Sequence, residues 1–132
     1  MLKLEIVTPE RKVVDAEVDS VTVPTMSGEA GILPNHAPLI SALKPGVLSF
    51  SSKGALEKLA VAGGFVEVSA DRVSVLTDVA EDPTEIDMES ARSERDKAEK
   101  ELAGLTASPI EETEELRERL EFANTKLGLG VR

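Results

Sequence analysis

The chain has 132 residues, a formal net charge of -10 at pH 7, no cysteine and a single histidine, with 41% hydrophobic, 30% charged and only 2% aromatic residues. This length holds one ordinary core, or a small domain with a helical appendage, and the composition is that of a globular protein whose interior must rest on Val, Leu, Ile and Ala. Disulfides, thiolate or histidine-cluster metal sites and a cysteine nucleophile are excluded, and the negative charge argues against nucleic acid or anionic lipid, both of which require a cationic face.

No basic segment followed by an apolar run opens the chain, and no stretch of about 18 apolar residues occurs in it. The expectation is a soluble intracellular chain that meets a membrane only through partners.

Up to Pro83 the pattern is that of short strands. Leu2, Leu4 and Ile6 alternate with Lys3 and Glu5 as in a half-buried strand, and Thr8-Pro9-Glu10 reads as a turn. Val14, Ala16 and Val18 continue with period two, but Val21 and Val23 lie on the other parity, so a bulge or tight turn is expected near Asp19-Ser20. Ser27-Gly28-Glu29-Ala30-Gly31 reads as a tight loop that presents Glu29 outward, suited to recognising a partner. An anion cradle there would need converging amides or a helix start, and apolar Ile32-Leu33-Pro34 follows instead. Further strands are expected over Gly46–Ser51, Glu57–Ala62, Phe65–Ser69 and Arg72–Thr77, separated by Lys53-Gly54, Gly63-Gly64 and Ala70-Asp71. Such spacing without helical period favours an antiparallel sandwich or barrel.

From Thr84 the period changes. Met88, Ala91, Arg95, Ala98, Leu102 and Leu105 recur at steps of three and four, with Asp87 as N-cap and Gly104 near the end. Ser108-Pro109-Ile110-Glu111 combines N-cap serine, proline at N1 and glutamate at N3, a capping box. Thr113, Leu116, Leu120, Ala123 and Leu127 then repeat the spacing, and Gly128 and Gly130 are expected to stop the helix. The fold class is therefore α+β in two parts: an N-terminal antiparallel β-sandwich over residues 1–83 and a C-terminal two-helix antiparallel hairpin over residues 84–132. The apolar stripes of the hairpin are thin, so its pairing should compete with other surfaces. Its interleaved charges, Glu94, Asp96, Glu99 and Glu101 among Arg95, Lys97 and Lys100, read first as a solvated face.

His36 invites a catalytic role because imidazole titrates near neutral pH. No nucleophile elbow, phosphate-binding glycine loop or metal constellation accompanies it in the sequence, so a structural or interface role is expected.

Three segments, Gly28-Glu29-Ala30-Gly31-Ile32-Leu33-Pro34-Asn35-His36-Ala37-Pro38-Leu39, Leu43-Lys44-Pro45-Gly46-Val47-Leu48 and Gly63-Gly64-Phe65-Val66-Glu67-Val68, resemble the epsilon subunits of bacterial and chloroplast F-type ATP synthases, the counterparts of the mitochondrial delta subunit. The resemblance implies a sandwich of ten strands followed by two helices, and a non-catalytic subunit of the central stalk that couples gamma to the c ring. It implies no cofactor, gamma and the c ring as partners, transient contact with the alpha and beta subunits, and peripheral attachment at the cytoplasmic face of the bacterial plasma membrane; a mature mitochondrial subunit is the other setting. By position, Glu29, with Gly28 and Gly31, falls where the family meets the c ring, and His36, with Pro34 and Asn35, falls near gamma and the ring surface.

Some members of that family bind ATP through an Ile/Leu-Asp-x-x-Arg-Ala motif. Here Ile86, Asp87 and Ala91 match it, but Ser90 stands at the arginine position, and Arg92 lies about 200° around the helix. ATP as a regulatory ligand is therefore doubtful. The family's inhibitory mode sets basic residues of the extended hairpin against acidic regions of the catalytic subunits; Arg117, Arg119, Lys126 and Arg132 could serve if they share a face, against opposition from Glu111, Glu112, Glu114, Glu115, Glu118 and Glu121. The alternative from another class is a free-standing regulatory nucleotide-binding module.

Overall fold

The computed structural model describes residues 1–105 and 110–130, with the side chains of residues 110–112 left aside. Ten strands precede two helices: β1 (Leu2–Val7), β2 (Lys12–Val18), β3 (Ser20–Thr25), β4 (Gly28–Ile32), β5 (Leu39–Ala42), β6 (Gly46–Ser52), β7 (Ala55–Ala62), β8 (Phe65–Ser69), β9 (Arg72–Leu76), β10 (Val79–Glu81), α1 (Met88–Ala103) and α2 (Ile110–Leu129). The strands form two five-stranded sheets, ordered β2-β1-β9-β8-β5 and β10-β7-β6-β3-β4. Pairing is antiparallel except between β1 and β9, which run parallel in the middle of the first sheet. No hairpin joins those two strands, so nothing local forces them to oppose each other.

The core is aliphatic, as the composition requires. Leu2, Leu4, Ile6, Val18, Val66, Val68, Val73 and Val75 of the first sheet face Val21, Val23, Ile32, Leu48, Phe50, Leu59 and Val61 of the second. Each buried side chain of this size contributes about 1.5–3 kcal/mol relative to exposure, so the alternation along each strand dictates its facing. The parity change between Val18 and Val21 has a simple cause: the chain leaves the first sheet at Val18 and enters the second at Ser20, with the Asp19 amide donating to the Ser51 carbonyl at 2.7 Å. A residue facing the core from one sheet must look the opposite way from the other.

The expected tight loop at Gly28–Gly31 is instead an edge strand, β4, paired with β3. Ala30 and Ile32 turn inward against the core while Glu29 and Gly31 stay exposed. Short β5 and β10 were likewise not distinguished by the sequence pattern. Gly63 and Gly64, with φ of +75° and +87°, carry the chain from β7 in the second sheet to β8 in the first.

Beyond the sandwich, the Asp87 carboxylate caps α1, accepting from the Glu89 and Ser90 amides at 3.0 and 3.2 Å, as expected from the sequence. Helix α1 ends at Gly104, whose amide donates to the Lys100 carbonyl. Ser108, Pro109 and the Glu111 side chain of the expected capping box lie outside the described residues, as does Arg132. Gly128 does not stop α2, which runs through it to Leu129. Gly130 serves packing: it sits so close to Met88 and Ile86 that a β-carbon there would meet both.

Helix α2 lies along α1 and also against β6 and β7. Ala60 shows the effect. It lies between Leu59 and Val61, which face the core, so its own side chain points away from the sandwich, yet its exposure is 0%. The helix covers it. The hairpin is therefore compact and rests on the outer face of the second sheet.

Gly64→Ala should destabilise the sandwich far more than Gly54→Ala. Both glycines have positive φ, but a β-carbon on Gly64 would lie 2.8 Å from the Leu76 carbonyl carbon and from Thr77 Cα, whereas one on Gly54 meets open space. The expected losses are about 3 kcal/mol or more against about 1 kcal/mol, read from denaturant midpoints.

Candidate functional site

Four groups of residues carry chemistry. The first is on the edge strand. The β3–β4 turn is closed by the Thr25 hydroxyl, which donates to the Gly28 carbonyl at 2.5 Å and accepts from the Ser27 amide at 3.2 Å. Gly28 takes φ +116°, a conformation that favours glycine. Glu29, opposite Pro24, projects from the outer face of the second sheet and lines a shallow cleft with Val47, Ser49, Lys58, Asn124 and Leu129. Its carboxylate has no ion-pair partner among the described residues.

The second group follows β4. The His36 amide donates to the Leu33 carbonyl at 3.1 Å, closing a turn around Pro34 and Asn35, and Asn35 adopts φ +66°. The Asn35 amide donates to the Asp71 carboxylate at 3.0 Å, which ties this loop to the β8–β9 turn. His36 Nδ1 lies 2.6 Å from the Ala37 carbonyl, an arrangement in which that nitrogen carries the proton and Nε2 is left for solvent or a partner. Glu29, near the start of β4, and His36, in the turn beyond its end, are thus separated by about 10 Å of strand and that turn, and do not form one cluster.

Sequence reasoning missed the third group. The outer face of the first sheet carries one register row of apolar residues, Val7, Leu76, Phe65 and Ala42, each directly opposite the next across β1, β9, β8 and β5. Ile40 adjoins it on β5. Ile40 is 75% exposed, Phe65 59% and Leu76 58%. Glu67, Ser74 and Glu5 make the next row, so the patch has a polar margin. The signal was legible: once Val66 and Val68 are placed in the core, Phe65 must point outward.

The fourth group is the foot of the hairpin. Ile86 and Ala91 are buried, and Asp87 is spent on the helix cap, where the Ser90 hydroxyl also donates to it at 3.1 Å. The segment before it is fastened to the sandwich by the Arg11–Glu85 ion pair at 2.8 Å, and within it the Asp82 carboxylate accepts from the Thr84 amide and hydroxyl. Of the four cations expected to serve together, Arg132 lies outside the described residues and the other three have separate partners. Arg119 pairs with Glu115 at 2.7 Å, Arg117 Nε donates to the Thr113 hydroxyl at 3.2 Å, and Lys126 is buried against Glu94. At about 100° per residue Arg117 lies on the opposite side of α2 from Lys126, whereas Arg119 lies within about 20° of it, so only Arg119 and Lys126 share a face.

Among the described residues there is no group of carboxylates and histidine placed to hold a metal ion, and no helix is long and apolar enough to cross a membrane.

The family described as "ATP synthase, Delta/Epsilon chain, beta-sandwich domain" matches residues 1–83. The chain is 48% identical over 105 residues to the ATP synthase epsilon chain of Carboxydothermus hydrogenoformans, covering 80% of this chain and 78% of that one. It is 41% identical over 128 residues to the epsilon chain of Syntrophobacter fumaroxidans, covering 97% and 87%. In fold it is similar to a chain of the Euglena gracilis mitochondrial ATP synthase assembly of OSCP, F1 and c-ring, with a TM-score of 0.78 at 24% identity over 94% of this chain and 78% of that one. A chain of the Tetrahymena thermophila mitochondrial central stalk and c-ring gives a TM-score of 0.63 at 20% identity, covering 94% and 96%.

The cap at the hairpin's foot makes it acid-sensitive. The Ser90 amide, then the Ser90 hydroxyl and the Glu89 amide, hold the Asp87 carboxyl below its ordinary value of 3.8, with Lys126 adding a smaller effect of the same sign. A carboxyl lowered on folding stabilises fully above its unfolded value, and that stabilisation is lost as pH falls through the folded value. Protection of the first α1 amides from hydrogen exchange, measured relative to Asp87→Asn, should therefore be greatest above pH 3.8 and decline below it.

Proposed function

The chain belongs to the family of ATP synthase delta and epsilon chains, and on that premise we propose that it is a non-catalytic central-stalk subunit whose β-sandwich fastens the gamma subunit to the c ring. The observation that carries this reading is the apolar row on the first sheet. A contiguous exposed apolar patch with a polar margin is the surface of a docking site, because leaving it in water costs the hydrophobic free energy that burial would recover. Phe65, Leu76 and Ile40 are large enough to act as anchors, and gamma is the partner assigned to them.

Glu29 and His36 suit the c ring in complementary ways. An unpaired carboxylate held on a paired strand can meet a basic loop with little loss of side-chain freedom, and such a contact strengthens as water is excluded. The turn around His36 is fixed from both sides, by Leu33 and by Asp71, so its free ring nitrogen is presented in a defined place. Transmission of torque asks for a body that does not shear, and a close-packed aliphatic sandwich supplies one. The subunit then sits at the cytoplasmic face of the bacterial plasma membrane, attached through gamma and the ring. Its hairpin is the regulatory part, able to leave the second sheet and present cations of α2 to acidic surfaces of the catalytic subunits. ATP is not assigned as its ligand, since Asp87 is engaged by its own helix and Ser90 replaces the motif arginine.

Phe65→Glu and Leu76→Glu are each expected to weaken binding to purified gamma by about 30-fold or more while leaving the exposed positions' fold intact by circular dichroism. Binding at the wild-type level would remove the apolar row as the docking surface. Glu29→Lys should leave gamma binding unchanged and lower proton-driven ATP synthesis in reconstituted vesicles; undiminished synthesis would remove Glu29 from the ring contact.

A further inference from the structure

Lys126 is the most unusual charge in the molecule. Its exposure is 7%, its ammonium lies 3.3 Å from the Glu94 carboxylate of α1, and it stands 4.8 Å from the centre of the Phe122 ring one turn earlier on α2. Around it the seam between the helices is made of small residues, Ala91, Ala98 and Ala123, each nearly or wholly buried. Alanines bury little area, so dispersion and apolar burial hold the seam only weakly. The lysine is different. A cation enclosed by protein is tolerated while it is paired and becomes costly when its partner is taken away, because its hydration is not restored.

The two helices meet again beside this pair. Gly130, whose amide donates to the Lys126 carbonyl at 2.8 Å, packs on Ile86 and Met88 at the foot of α1. The last turn of α2 is thus held by a charge pair on one side and by a close backbone approach on the other. Glu94 itself is half in solvent, its side chain 52% exposed, so it can be altered without disturbing the sandwich core.

We propose that the Lys126–Glu94 pair is a latch that sets how often the hairpin is closed, so that closure and the availability of Lys126 to an acidic surface outside the chain exclude one another. Closed, the ammonium is occupied by Glu94 and Phe122. Open, it is hydrated and free. An external carboxylate that takes Lys126 must therefore compete with Glu94, and the hairpin opens as it succeeds. The latch rests on the regulatory reading of the hairpin only in the identity of that external surface.

The test uses the isolated full-length chain and follows two readouts. Hydrogen exchange of α2 amides reports opening, with β1, β8 and β9 amides as an internal control. The rate of Lys126 acylation by an amine-reactive ester reports its availability, with exposed Lys97 and Lys100 as references. Glu94→Gln and Glu94→Lys should raise both readouts together, by about tenfold for the charge reversal, and leave the sandwich amides unchanged. The Glu94→Lys, Lys126→Glu double variant should restore α2 exchange to within about threefold of wild type, which recovery of packing alone would not do. Unchanged exchange in the single variants overturns the latch. So does faster acylation without faster exchange, which would mean that the pair breaks while the hairpin stays closed, and so does a double variant as open as the singles. Because no catalytic subunit is present, these outcomes are independent of whether the hairpin inhibits ATP hydrolysis.

Discussion

Two sheets must bury the same core from opposite sides, and with 2% aromatic residues that core is filled almost wholly by branched aliphatic chains, with Phe50 among them. This one demand fixes the register of nearly every strand. A one-residue slip would exchange Leu2, Leu4 and Ile6 for Lys3, Glu5 and Val7 against the second sheet. It also decides what the outside looks like. Because Val66, Val68, Val73 and Val75 are committed inward, Phe65 and Leu76 have no inner position to take and must stand on the surface. The exposed apolar row is thus a by-product of core register in its geometry, though not in its composition: polar residues would have served the fold equally well there.

The hairpin obeys a different constraint. Its helices bring few large apolar side chains to each other, so it borrows support from the outer face of the second sheet at Ala60 and Val47 and from single polar contacts at its ends. The Arg11–Glu85 pair and the Lys44–Glu121 approach at 3.9 Å join it to the sandwich. Exposed pairs of this kind contribute little individually. Their value lies in fixing where the hairpin rests when it is closed.

What could be read from the sequence divides along the same line. Alternation and helical period are local signals, and they located seven of the ten strands, both helices and the Asp87 cap. The parity change at Asp19-Ser20 was visible too, but its meaning was not, because a bulge within one sheet and a crossing between two sheets leave the same trace in sequence. Strand β4 was hidden by its glycines, which suggest a loop; only the pairing partner Val21–Thr25 makes those residues extended. The burial of Lys126 was beyond any periodicity, since Ala123 and Leu127 alone satisfy the stripe and the lysine's ion-pair partner, Glu94, sits on another helix. The separation of Glu29 from His36 is set by the extended strand β4, in a segment that had been taken for a loop.

The two outer faces of the sandwich now bear on the proposed division of labour. On the second sheet the covered residue is small: Ala60, beneath a helix whose own seam is alanine. On the first sheet the row carries Phe65 and Leu76, with Ile40 beside it in the next row, and no element of the described chain covers them. Burial free energy scales with apolar area, at about 25 cal/mol per Å². Removing a helix from the small-residue face therefore costs little, whereas separating a partner from the large-residue face would expose several anchors at once. A subunit with a durable attachment on one face and a reversible one on the other can remain on a rotor while its hairpin moves. The asymmetry is chemical, and it sits in side chains that the core does not require.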